Sequence, residues 1–489
     1  MGRLAFAVVL ATLGWAGTGV AAQSALAATL CVGPATGCYP TIQTALNAAH
    51  DGDTINVGAG TYAGGITIDK SIGLVGAGAA STTINGGGPV VVIGSDGSAP
   101  TVSISGVTVT GGRNSSSPGP SFAAGGGVEI AAGANVTIAD SAISGNAVAP
   151  ETTFPDPAQA CAETPHDHCA FAAGGGIDNS GMLVLTNTRV VDNVVGSIPG
   201  LALVASSVEG GGIANHFPGT LLLRNSAVTG NQAVVGLPNG RFTDGGGIAS
   251  GGVLKLQDSV VAGNSSDVEA AVPSSFFSGD TQQEANAGGI DLQDGSLGTI
   301  IRSTISDNSV TGSNTVGDAN AEAGGIDADG RLLLNDSTVS GNHVSAYAPS
   351  GTLALAIEGG VQVGGSLVAH NSRISDNSVV ATSIGGFAGA TGGGLDNLAQ
   401  TTLEDTVVTG NSVTATGAFG AAHGGGVSNF TLDQDNPPKL KVLNSSITGN
   451  TVQASPGITP EGGGLWTDQR LLLVQTAITG NSPDQCFGC

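Results

Sequence analysis

Positive charge and aromatic rings are both scarce in this chain. Its 489 residues hold 13 Lys and Arg against 37 Asp and Glu, a formal charge of −24. The only lysines are Lys70, Lys255, Lys439 and Lys441. Nucleic acid and anionic membrane surfaces need a basic footprint, so neither is an expected partner. The same deficit weighs against a polyuronate substrate unless a cation intervenes. Aromatic residues make up 3%, and Trp466 is the sole tryptophan after the N-terminal segment, which leaves little for an aromatic sugar track. Charged residues are 10% and glycines number 82, values that would suit a disordered chain. Hydrophobic residues at 40%, recurring in register, argue instead for a packed interior. No stretch after Ala22 is apolar enough to cross a bilayer, so the chain is not expected to be transmembrane.

The N-terminus reads Met-Gly-Arg, then an apolar run from Leu4 to Ala22, then small residues with Ala25-Leu26-Ala27 at a cleavage position. This predicts a signal peptide over 1–27 and a mature chain over 28–489 that is secreted, extracellular or at the cell surface. Six cysteines in an oxidising compartment fit disulfides. They fall in close pairs, Cys31 and Cys38, Cys161 and Cys169, Cys486 and Cys489. Sequence permits about fifteen pairings, of which local pairing is the simplest. The pair at Cys486 and Cys489 also has the spacing of a redox pair or half a zinc site, but it lacks a second such pair and a strand–helix context.

What the chain does have is a stencil repeated at intervals of about 31 to 49 residues, the mark of a stacked repeat. Each unit runs from glycines through an aliphatic residue and a short apolar alternation to Ser or Thr, a β-branched residue, and Gly-Asn or Asp-Asn. The asparagines are Asn146, Asn193, Asn231, Asn264, Asn308, Asn342, Asn377, Asn411, Asn450 and Asn481. Three positions before each stands a β-branched residue, from Ile143 to Ile478. After each glycine run stands an aliphatic one, from Val128 to Leu465. Eight before each asparagine lies a third column, from Ile138 to Leu473. Three inward columns on three short strands predict one coil of a parallel β-helix per stencil, since β-branched residues pack well on pleated surfaces. The asparagines are expected to stack as an amide ladder. A hydroxyl column five residues upstream, from Ser141 to Thr476, is expected to form corners, because no histidine lies in register to activate it.

Candidate sites follow from the remaining columns. The second residue after each glycine run reads Glu129, Asp178, Ala214, Ala249, Asp291, Asp327, Gln362, Asp396, Ser428 and Trp466. Alternation turns this column outward. Asp291 and Asp327 then sit on adjacent coils, where two carboxylates repel unless protonated or bridged, and calcium is a possible bridge. His166 and His168 are a second candidate metal pair, without an identifiable third ligand. Nine before each asparagine an outward column includes Leu222, Leu333 and Leu472, a possible self-association face. Between asparagine and glycine run, long insertions leave one corner of every coil. They carry Phe154, Phe171, Phe242, Phe276, Phe277, Phe387 and Phe419, expected to pack loop on loop or to form a binding wall.

The stretch Tyr39-Pro40-Thr41-Ile42-Gln43-Thr44-Ala45-Leu46-Asn47-Ala48-Ala49, followed by Asp51-Gly52-Asp53-Thr54-Ile55-Asn56-Val57 and Gly60-Thr61-Tyr62, resembles the entry of the pectin-lyase-like right-handed parallel β-helix superfamily. That resemblance implies a short amphipathic helix covering the first coil, with Ile42, Ala45, Leu46 and Ala49 on one side. The downstream pattern resembles secreted bacterial β-helix repeat proteins of unassigned activity. The catalytic signatures of pectin methylesterases, polygalacturonases and pectate lyases are missing. Pro165-His166-Asp167 resembles in part the Asp-Pro-His motif of mannuronan epimerases, with Thr164 where the aspartate would stand.

The expected fold is all-β, a single right-handed parallel β-helix of about 12 coils. It has an N-terminal cap and first coils over 39–115, ten repeat coils over 123–481 and a C-terminal cap over 482–489. The expected function is a non-catalytic, adhesin-like scaffold with a carbohydrate or cell-surface partner. The alternative is a polysaccharide lyase or hydrolase. The discriminator is a tight carboxylate cluster with a basic residue in one cleft.

Overall fold

The computed structural model describes residues 27–95, 97–115, 122–149, 171–196, 207–236, 242–271, 284–349, 352–430 and 437–489. Cys161, Cys169, His166, His168, Phe154, Phe276 and Phe277 lie outside them. The chain winds through five parallel sheets. Three enclose the body: one of 14 strands, from Thr29–Val32 to Arg470–Val474, and two of 13, from Gly60–Ala63 to Ala477–Thr479 and from Ile66–Ile68 to Cys486–Phe487. Two further sheets of 10 strands each, from Arg113–Asn114 to Thr451–Ala454 and from Phe122–Ala124 to Pro460–Glu461, lie back to back. The result is a parallel β-solenoid of about nine turns rather than about twelve coils. The N-terminal coils are three-sided, because the first arm strand begins only at Arg113.

The three predicted inward columns meet in one dry interior. Val128, Ile177, Ile213, Ile248, Ile290, Ile326, Val361, Leu395, Val427 and Leu465 all belong to a single buried cluster, with Ile143 to Ile447 and Ile138 to Val442. At the last coil the packing ends: Leu473, in register with buried Val442, is 37% exposed. At the other end the segment Ile42–Ala48 is a helix that buries Ile42, Ala45 and Leu46 in the same interior. Thr41 accepts the Thr44 N–H at 3.2 Å as its N-cap. The Lys70 ammonium donates to the carbonyls of Leu46, Asn47 and Ala49 at 3.1, 3.0 and 2.6 Å, meeting the negative end of the helix.

Two corners are built as expected. Each asparagine of the ladder sends its backbone N–H and its side-chain amide to the side-chain oxygen of the next, as from Asn308 to Asn342 at 3.1 and 2.9 Å, and also donates to a carbonyl of the previous coil. The residue before each has positive φ, Gly or Asp throughout. The Ser/Thr column accepts a backbone N–H from the preceding coil and donates two residues back, as Ser303 does to Ile301 at 2.8 Å.

The insertions are where expectation and structure part. Phe171, Phe242, Phe387 and Phe419 stand on strands of the returning arm sheet rather than in loops. After each asparagine the chain runs outward, turns, and comes back against itself. Small residues fill the thin space between: Val310, Ala321, Val344, Ala346, Ala356, Val379, Ala388 and Ala390 are buried together. The disulfide Cys31–Cys38 forms, and Cys486 and Cys489 are paired likewise.

Candidate acidic groove

The arm changes what the column after the glycines can do. That column does leave the body interior, but the returning arm sheet stands over it, so it faces a crease rather than solvent. Asp178 is 5% exposed, Asp291 and Asp327 6%, and Asp396 and Ser428 0%. The outward turn expected of this column therefore does not bring it to solvent. Alternation tells which side of its own strand a residue takes and nothing of what folds over that side.

Across the crease the last outward residue of each arm strand runs Ala124, Ala173, Glu209, Asp244, Asn286, Glu322, Ile357, Thr391, His423 and Glu461, in register. The sharp turn between the walls needs left-handed backbone. Gly424 has φ 68° and Gly462 φ 60°, and a Cβ there would lie 2.6 Å from that of Ser428 and 2.5 Å from that of Trp466. Ala287, Ala323 and Glu358 occupy the same corner with φ 46°, 54° and 57°, a strained choice for residues with a Cβ.

Carboxyls crowd the middle of this groove. Glu284 is pushed up to about 8 by burial and by Glu322 and Asp244. Asp244 is pushed up to about 7 by burial and by Glu209. Burial first, then neighbouring acids, hold Asp291, Asp327 and Glu358 well above the usual carboxylate range. Burial also raises Glu322, and lifts Asp396 to about 6 against hydrogen bonds that favour its charge. The Gln362 carboxamide lies between two of them. One end is 3.3 Å from Glu322, and the other, turned to present its NH₂, donates to Asp327 at 2.6 and 3.0 Å. Its oxygen then faces Glu322, which must carry a proton to pair with it.

The ends of the groove differ. At one, His216 binds Asp178 at 2.6 Å and Glu209 at 3.0 Å, so its two nitrogens tie the body wall to the arm wall. Burial opposes its charge, but these two acids prevail and push it up to about 10. Phe122 lies beside it, stacked on Phe171 at 5.3 Å. At the other end burial pushes His423 down to about 4. Its ring meets Trp466 edge-on at 4.3 Å, and Trp466 Nε1 donates to Glu461 at 3.1 Å.

Several buried atoms in this groove have no hydrogen-bond partner among the described residues. They are both oxygens of Glu358, Asp396 Oδ1, Asn286 Oδ1, Asn320 Oδ1, His423 Nδ1 and Ser428 Oγ. Among the described residues no three His, Cys, Asp or Glu side chains converge as a metal site, so the calcium expectation at Asp291 and Asp327 gains no third ligand. Sequence did bring those two together: they are register partners on adjacent strands. It missed Asp244, Glu284, Glu322 and Glu358. Their signal was an acid one to four residues before the paired glycines, visible once the returning strand is known. The outer column of the 14-stranded sheet does face out, with Leu333 39% and Leu472 49% exposed and Leu222 partly covered. Lys255, Thr299, Thr402 and Lys441 interrupt it, so it makes no continuous apolar face. No helix among the described residues is long and apolar enough to cross a membrane.

No protein-family model and no curated protein sequence matches the chain. Among solved structures, the A-module of the mannuronan C-5 epimerase AlgE6 of Azotobacter vinelandii aligns over 90% of this chain and 94% of that one, at 15% identity and a TM-score of 0.34.

Proposed function

We propose that this chain is a secreted, right-handed β-helix of pectin-lyase-like build whose acidic groove cleaves an extended glycan by acid–base hydrolysis. One observation carries this: Glu284 and Asp244, both partly buried on neighbouring arm strands, are lifted to about 8 and about 7. Near neutral pH the first holds its proton while a large share of the second is ionised, the division that glycoside hydrolysis requires. Glu284 would donate its proton to the glycosidic oxygen as the C–O bond breaks. Asp244 would take a proton from the water whose oxygen bonds to the anomeric carbon. Glu209 and Asp329 press on Asp244, and Glu322 and Asp329 on Glu284, beyond the effect of burial itself. The Cys31–Cys38 disulfide supports an oxidising compartment.

The test is release of reducing ends from a panel of glycans by the purified chain, with Glu284→Gln and Asp244→Asn beside it. The expected result is a bell-shaped pH profile centred between the two lifted values and a loss of about 10²-fold or more in either variant. Absence of release by the wild type from every glycan would leave the non-catalytic scaffold as the function.

A further inference from the structure

Aromatic rings are kept out of every core. Among the described residues no phenylalanine or tryptophan is buried, and the buried members of the body and arm clusters are Val, Ile, Leu and Ala alone. Five phenylalanines stand instead on one surface, the face of the returning arm sheet that closes over the crease. Phe122, Phe171 and Phe242 share a column, in register through Ser207, and Glu284 continues that column on the next strand. Alternation puts each on the same side of its strand as the residue two places on, Ala124, Ala173, Asp244 and Asn286. Phe171 packs on Ala124, Ala173 and Ala214, the last on the body wall, so its ring lies across the crease. Past Asn320 and Leu355 the column reaches Gly389, and Phe387 and Phe419 stand two residues outward on the same face. A Cβ at Gly389 would lie 2.8 Å from Leu355 Cδ1 and 3.0 Å from Phe387 Cε1, so the glycine makes room for that ring. Rings therefore flank the pair Asp244 and Glu284 on both sides. They pack on one another, Phe122 on Phe171 at 5.3 Å and Phe387 edge-on to Phe419 at 5.8 Å. Even so, Phe122 is 56% and Phe419 57% exposed. Rings left in water along a groove, in a chain whose interiors hold none, mark a surface for a partner.

Resting on the hydrolytic reading above, we infer that the substrate is an uncharged polysaccharide lying along the crease on these rings. Sugar units sit on both sides of Asp244 and Glu284, so cleavage falls within the polymer rather than at its end. A sugar ring offers an apolar C–H face to an aromatic ring, and its rim of hydroxyls both donates and accepts. Carboxyls and carboxamides beside the phenylalanines match that rim: Asp244 and Glu284 on the arm, and Gln293 on the body lip, where its amide already reaches across to Glu209 at 3.1 Å. An anionic glycan would meet no free cation. His216, the only basic side chain paired with a groove acid among the described residues, is held by Asp178 and Glu209, and the exposed Asp329 adds repulsion. A peptide taken up by main-chain bonds needs a free strand edge, and both walls of the crease are sheet faces whose strands are paired on either side.

Isothermal titration of the full chain with neutral hexasaccharides of glucose, xylose and mannose tests this, with hexagalacturonate and hexalysine in parallel. Titrating the Glu284→Gln chain as well separates binding from turnover. At least one neutral sugar should bind more tightly than either charged oligomer. Phe242→Ala and Phe387→Ala should each weaken that sugar about ten-fold, about 1.4 kcal/mol, and raise KM with kcat nearly unchanged. Phe242→Leu keeps the apolar bulk but should bind as weakly as Phe242→Ala, while Phe242→Tyr should bind as the wild type does. Early products from the corresponding long polymer should be long fragments. Tighter binding of a charged oligomer, unchanged affinity in the alanine variants, release of only the terminal sugars, or binding of no hexasaccharide would overturn the inference. Glu284-dependent release of reducing ends from a charged glycan alone would overturn it while leaving the hydrolytic reading intact. Ring-dependent binding of a neutral sugar without reducing ends from any glycan would remove the hydrolytic reading and keep the rings as a neutral-glycan site.

Discussion

Each coil turns two polar corners that the repeat preserves, and they are opposites. At the asparagine corner every amide is used: Asn342 accepts two bonds from Asn308 and donates to Ile305 and Asn377. At the glycine corner, one arm's length away along the chain, buried acids press on one another and several atoms go unpaired. Both columns are deeply buried, so burial alone does not separate structure from function. Satisfaction does. A corner that is complete in itself holds the rod together, and a corner left incomplete costs stability and is kept for a ligand.

The largest expected effect breaks the complete corner. Asn342→Ala removes the acceptor for two N–H groups of Asn308 and the donor to Ile305. With about 1–3 kcal/mol for each stranded group, chemical denaturation should show a loss of about 3 kcal/mol or more. A loss under about 1 kcal/mol would mean that the ladder is not what holds this corner.

The incomplete corner should respond with the opposite sign. Asp327 is held protonated by burial and by Asp329 and Glu322. The folded chain therefore binds more protons than the unfolded chain above the ordinary carboxylate range. Stability is then highest near pH 4 and falls as pH rises toward the lifted values. Asp327→Asn replaces a costly acid by a neutral near-isostere that Gln362 can still meet. It should raise stability at pH 8 by about 1–2 kcal/mol and flatten the decline. Thermal melts from pH 4 to 8 that are level in the wild type would contradict the burial of these groups.

The two histidines sharpen the comparison within the groove. His216 is raised to about 10, so its tie between the walls is fully present below its ordinary value of 6.5 and is lost as pH climbs through about 10. His216→Gln should cost about 1–2 kcal/mol at pH 7 and nothing beyond pH 10. His423 is lowered to about 4, so the unfolded chain takes up its proton first. Its contribution disappears as pH falls from 6.5 toward 4, and His423→Gln should remove only that acid-side loss. Melting curves of both variants across pH decide whether the signs are as stated.

How much of this was legible depends on which strand a residue belongs to. The aliphatic columns from Val128, Ile138 and Ile143 stand out because large β-branched and Leu side chains repeat at fixed offsets from an invariant Gly-Gly and Asn. The arm did not stand out. Its cores are Ala, Val, Ser and Gly, as in Val344-Ala346-Ala348 and Val379-Ala381-Ser383, and its turns vary in length, so the returning strand has no constant offset from the asparagine. The weak signal was there: apolar or small residues two, four and six positions after Asn342 and Asn377. Without the arm, Asp291 and Asp327 read as a surface stripe, and Glu284 and Glu322 read as loop acids.

The smallest expected effect tests that period directly. Leu333 and Leu334 are neighbours on the strand Arg331–Asn335, the first 39% exposed on the outer face and the second 0% exposed in the body. Leu333 has Thr299 on one side and Val368 on the other, so its removal opens no cavity and breaks no continuous apolar stripe. Leu333→Ser should change stability by no more than about 0.5 kcal/mol and leave sedimentation unchanged across concentrations. A shift from oligomer to monomer in this variant would restore the outer column as a self-association face. In that case the outer wall of the 14-stranded sheet, and not only the crease beneath the arm, would be a surface kept for a partner.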